Sequence, residues 1–199
     1  MSPATAAEPT PQAVFDELVV SIGRATLRDE LQVTITPAPS GLAPFSYALA
    51  ADVNPARHDD DSDLGTGRLI ILYDPASAEG WGGPVRIICY AQAPLETEIG
   101  LDPFVADVAW SWLVDALAAR GARYTSASGT ATKVLSTGYG ELAAQSSGAQ
   151  IELRASWTPL ELDLAPHVEG WAELLCMVAG YPPLADDVAG LSPRRGSRG

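Results

Sequence analysis

Two segments constrain this chain more than any others: GRLIILYDP, Gly67 to Pro75, and PVRIICYAQAP, Pro84 to Pro94. Both are strongly apolar, rich in β-branched residues, short, and closed by proline. Runs this hydrophobic belong at the centre of a sheet, where both neighbours are strands. ASAEGWGG between them reads as a turn region, so the two are hairpin partners. Leu69 to Tyr73 is expected to pair antiparallel with Val85 to Tyr90.

The other elements fall into place around that hairpin. Thr10-Pro11 opens a helix, with Thr as N-cap and Pro at the first helical position. Val14, Phe15, Leu18, Val19 and Ile22 follow at helical spacing, and the helix is expected to end near Arg28. LQVTITP from Leu31 and PFSYALAADV, Pro44 to Val53, read as strands. Asp102-Pro103 starts a second helix that runs to about Arg120, with Gly121 as its stop. YTSASGTATKVLS from Tyr124 and QIELRASWTP, Gln150 to Pro159, are further strands. Asp163 caps a last helix, Leu164 to about Ala179, ended by GYPP.

The order is α-β-β-β-β-α-β-β-α. Helices are too few for βαβ repetition, which implies an α+β domain: an antiparallel sheet of about six strands with helices packed on one face. One domain is expected over residues 10–185. Residues 1–9 and the basic stretch 186–199 read as disordered tails.

At 47% apolar and 19% charged, the 199 residues have a globular composition. The net charge is −13, and Arg194, Arg195 and Arg198 are spent in the C-terminal tail. Such a surface repels phosphate backbones, so no nucleic-acid partner is expected. The segment MSPATAAEPTPQ has neither the basic nor the apolar region of a signal peptide. No apolar run approaches the ~18 residues of a membrane span. Cys89 and Cys176 each sit in an apolar run and are expected to be buried thiols of a cytoplasmic protein.

Little in the chain announces chemistry. Asp59, Asp60, Asp61 and Asp63 form an acidic run. Counted from Asp59, however, Leu64 and Ile70 stand where a calcium loop needs its Gly and distal Glu, so a solvated loop is expected. His58 in that loop has no second His or Cys near it. His167 and Cys176 lie nine residues apart, on opposite sides of the last helix, and cannot form a dyad. SASGTATKV has a single glycine, Gly129, ahead of Lys133, which does not make a phosphate loop. No metal, cofactor or catalytic set is expected.

The helix carrying VAWSWLVDAL has two tryptophans two residues apart. Placing Trp112 on the core gathers Val105, Val108, Ala109, Ala116 and Ala119 within about 60° of it. Trp110 then falls about 160° away, beside Val114 and Leu117. Trp110, Val114 and Leu117 would make a second apolar face, available to a protein partner or a second copy of the chain. Asp107, Ser111 and Asp115 lie between the two faces.

VAWSWLVDAL, YTSASGT, IELRASWTP and WAELLCMVAGYPP, in this order, resemble an actinobacterial family known as domain of unknown function 3000 (DUF3000). The resemblance covers roughly Pro11 to Pro183 and implies a cytoplasmic protein without an assigned activity. The element order is also similar to that of the small acidic chaperones of type III secretion. That likeness implies homodimers that bind extended polypeptide on apolar patches, with the middle helix at the dimer interface. The function expected from the sequence is a non-catalytic binding or adaptor protein working through an apolar helix face. The alternative is an enzyme or small-ligand protein with a pocket between sheet and helices, for which Tyr124, Arg154, Trp157 and His167 are the candidate residues.

Overall fold

The computed structural model describes residues 9–53, 64–143 and 148–183. The N-terminal tail up to residue 8, the C-terminal tail, His58 and the acidic run Asp59 to Asp63 lie outside the described residues. No helix among those described is long and apolar enough to cross a membrane.

Six strands form one antiparallel sheet: β1 (Leu31–Thr36), β2 (Phe45–Val53), β3 (Thr66–Tyr73), β4 (Val85–Leu95), β5 (Tyr124–Ser136) and β6 (Gly148–Pro159). Their spatial order is β1-β2-β3-β4-β6-β5. The expected hairpin is at the centre, with Leu69 opposite Cys89 and Tyr73 opposite Val85. The helices are α1 (Pro11–Ile22), α2 (Ala78–Trp81), α3 (Thr97–Leu101), α4 (Val105–Ala119) and α5 (Ala165–Val178). The fold is thus α+β, with the three long helices on one face of the sheet.

Strand β4 shows how the two faces divide. Val85, Ile87, Cys89, Ala91 and Ala93 are buried under the helices, while Arg86, Ile88, Tyr90 and Gln92 alternate onto the other side. On the helix side α5 runs over the centre of the sheet. A Cβ at Gly67 of β3 would lie 2.5 Å from Leu175, so only glycine lets α5 settle this close to β3. Helix α4 meets α5 where a Cβ on Gly170 would lie 3.1 Å from the Cα of Leu117. Helix α5 is therefore enclosed on nearly every side, and eleven of its fourteen residues are buried.

Two helix boundaries differ from the sequence expectation. Helix α1 stops at Ile22, not near Arg28, because residues 24–30 are recruited by α5. The Thr26 amide donates to Glu169 Oε1, and the Arg28 guanidinium reaches Glu173 Oε1 at 3.0 Å. Residues 97–119 form two helices, not one from Asp102. Asp102 precedes Pro103 and is held extended, at φ −61° and ψ 126°. Asp102 is therefore not the N-cap of α4, a position taken by Phe104; its carboxylate accepts from the Phe104 amide at 2.8 Å in the turn before the helix. The C-terminal stops are as read. Gly121 and Gly180 adopt left-handed φ of 70° and 88°, and the next amides, of Ala122 and Tyr181, return to the carbonyls of Leu117 and Cys176.

One charge cluster is locked inside this layer. The Arg28 side chain is 6% exposed and lies between Glu30 (2.8 Å) and Glu173 (3.0 Å), with Arg120 on the other oxygen of Glu173 (3.0 Å). Its guanidinium also sits over the Tyr181 ring and donates to the Pro182 carbonyl. The hydrogen bond to Glu30 is the main reason that the Arg28 pKa is raised and the Glu30 pKa lowered.

Candidate functional site

The two tryptophans of α4 flank its core stripe instead of dividing between two opposite faces. The buried residues are Val105, Ala109, Leu113, Ala116 and Leu117. Their centre lies about 70° from Trp112 and about 90° from Trp110, so both indoles lean onto the core from the sides. Leu113, which lies between the tryptophans on the wheel, fixes this orientation. Placing Trp112 at the centre of the buried stripe overlooked it. Val108 and Ala119, expected in the core, are exposed.

The proposed partner face is positioned accordingly. Leu117 is fully buried against Gly170 of α5. Trp110 is half-buried, its ring over Gly129 of β5, where a Cβ would come within 2.6 Å of it. Val114 is half-buried. The open apolar surface lies on the other flank, in line with Trp112. Phe104 is 66% exposed, Leu101 63% and Val108 39%, and Ile99 is exposed beside them. Phe104, Val108 and Trp112 follow at spacings of four and share a side of the helix.

That surface continues onto β5. A Cβ at Gly100 would lie 3.1 Å from Leu135, which is itself exposed, and Lys133 Nζ donates to the Asp102 carbonyl at 2.8 Å. Strand β5 ends the sheet, so among the described residues its outer edge has no strand partner. Around this corner stand four exposed carboxylates: Glu96, Glu98, Asp102 and Asp107. The assembly is an apolar centre with an acidic rim beside a strand edge that is unpaired among the described residues.

The four pocket candidates do not meet in one place. Trp157 and His167 do come together, with the Trp157 Nε1–H donating to His167 Nδ1 at 3.1 Å, but each is only 1% exposed. The space between sheet and helices at this point is filled by Trp157, Trp171, Leu164 and Val168. Tyr124 packs half-buried at the start of β5. Arg154 is on the opposite, helix-free face of the sheet, above the Tyr90 ring and paired with Glu152 at 2.7 Å.

Burial pushes the His167 pKa down to about 4 from its ordinary 6.5, with Asp163 opposing weakly. The bond from Trp157 fixes Nδ1 as an acceptor, and a proton there would set two donors face to face. The folded state thus refuses a proton that the unfolded chain accepts between pH 6.5 and 4. The contribution is complete above pH 6.5 and is lost as pH falls toward 4. Between pH 7 and 4.5 the expected loss is about 2 kcal/mol. Urea titrations at pH 7 and 4.5 check this. The drop in stability should be smaller by that amount in His167→Asn, and an equal drop would assign the acid sensitivity to other groups.

Burial raises both thiols, Cys89 and Cys176, to about 12, and both cysteines are free. Both are enclosed in the core, where burial disfavours the thiolate. Among the described residues no three His, Cys, Asp or Glu side chains are gathered as a metal cage.

The helix-free face carries its own hollow, of about 440 Å³, between β4, β6 and β5. Ile88, Ser128, Thr130, Arg154 and Ser156 line it. The polar residues here were legible in the alternation of β4 and β6, but only Arg154 stood out from the sequence, and as part of a different pocket.

No curated protein and no solved structure matches the chain. A family model described as "Protein of unknown function (DUF3000)" matches residues 10–189, from the N-cap of α1 to beyond α5. On that match, which takes in every strand and helix described above, the chain belongs to the DUF3000 family.

Proposed function

We propose that the protein is a non-catalytic adaptor of the cytoplasm that binds an extended, basic and apolar segment of a partner protein at the α3–α4 corner. Apolar side chains of the segment would rest on Leu101, Phe104 and Val108. Its cations would meet Glu96, Glu98, Asp102 and Asp107, and its backbone would lie along the outer edge of β5. The observation that carries this reading is the exposure of Phe104 and Leu101 near a strand edge that is unpaired among the described residues. The two free buried thiols suit a reducing compartment. A second copy of the chain is the less favoured occupant, because it would bring two acidic rims and two charges of −13 together.

The test is fluorescence anisotropy with a labelled synthetic peptide of alternating lysine and leucine, as long as the 13 residues of β5. Phe104→Glu with Leu101→Glu should weaken binding by at least about tenfold. These are exposed sites, so stability should change by no more than about 0.5 kcal/mol. Equal binding by the double variant would remove the corner from the account.

A further inference from the structure

The helix-free face of the sheet holds a cation that has no ion-pair partner among the described residues. Arg86 of β4 is half-buried, and among the described residues its partners are all neutral: the Ser126 carbonyl (2.9 Å), Thr158 Oγ1 (3.0 Å) and Ser156 Oγ (2.6 Å). These occupy three of its five N–H donors and leave two. Desolvation lowers its pKa, so the charge is held at a cost. In a chain of net charge −13, where twenty-five carboxylates outnumber twelve cations, no carboxylate among the described residues pairs with this guanidinium.

The surroundings are those of a receptor for an anion. Ser156 stands between two guanidinium groups, with Arg86 on its hydroxyl and Arg154 two residues away on the same strand face. Across β5, Ser128 Oγ lies 3.5 Å from Ser156 Oγ, and Thr130 pairs directly with Arg154. The floor between them is the apolar side of Ile88. Glu152 does pair with Arg154, but it sits one row further from the hollow. The carbonyl that holds Arg86 comes from Ser126, a non-glycine residue at φ 53° in the irregularity between Thr125 and Ser128. The left-handed Ser126 turns its carbonyl toward Arg86, and such bulges occur at sheet edges and next to functional sites.

We propose that this hollow binds a small molecule through a phosphate monoester, which Arg86 and Arg154 flank while Ser128, Thr130 and Ser156 donate hydroxyl hydrogen bonds and Ile88 supports the apolar part. Two cations and three hydroxyls match a dianion with three terminal oxygens better than a carboxylate with two. The site is on the opposite side of the sheet from the α3–α4 corner and does not depend on what binds there.

Backbone amide shifts followed by NMR test this, with inorganic phosphate, phenyl phosphate and benzoate titrated into the intact protein at fixed ionic strength. Saturable shifts of Ser128, Thr130 and Ser156 are expected with both phosphates. Phenyl phosphate should bind the more tightly, and benzoate at least about tenfold more weakly than phenyl phosphate. Arg86→Gln should lose at least about tenfold in affinity for phenyl phosphate with a folded spectrum. Arg154→Gln, on a side chain 67% exposed, provides a second variant with no folding role and should weaken binding in the same direction. The proposal is overturned by phosphate shifts that never saturate, by equal affinity for benzoate, or by unchanged binding in a folded Arg154→Gln.

Discussion

Trp157→Ala is expected to remove about 4 kcal/mol of stability, most of what a domain of this size possesses. The indole is enclosed between β6 and α5, and its loss leaves a cavity that the flanking strands cannot close. It also takes away the donor to His167 Nδ1, stranding a buried acceptor. Trp157→Phe should fall between the two, keeping much of the volume and losing the hydrogen bond. Urea unfolding at pH 7 measures both. A Trp157→Ala cost below about 2 kcal/mol would mean that the residue faces an open pocket, the alternative reading of the sequence.

The second large effect is expected at Glu173. Its carboxylate is 2% exposed and receives both Arg28 and Arg120. Glu173→Leu keeps an apolar filling but leaves the buried Arg28 charge with Glu30 alone, at an expected cost of about 3 kcal/mol. Glu30→Gln, at the more accessible end of the cluster, should cost under about 1 kcal/mol. The contrast between the two is the test, read from denaturant midpoints. Similar costs would mean that the cluster is solvated throughout.

These residues show what the sequence made legible. Strand positions were readable because alternation and apolar runs are local, and every strand lies where its pattern put it. The N-cap at Thr10 and the stops at Gly121 and Gly180 were readable for the same reason. The Arg28–Glu173 pair spans 145 positions, and nothing local marks it. Trp157 and His167 were rightly grouped as aromatic and polar neighbours, but whether such a pair lines a pocket or fills a core depends on what covers it. The cover is α5, made possible by Gly67 and Gly170, whose close approaches only tertiary packing reveals. On α4 the wheel was correct and its orientation was not. Turning the helix by about 70° moves the open apolar surface from Trp110 to the side of Phe104 and Val108.

The central claim is that binding takes place at the α3–α4 corner and the edge of β5, outside a helix layer that is closed. The most direct measurement is amide hydrogen exchange of the wild-type protein with and without a saturating basic and apolar peptide. The account predicts slowed exchange in residues 97–108 and along 130–136, with β1 to β3 unchanged. Slowing confined to β3 and β4, or none at saturation, would contradict it.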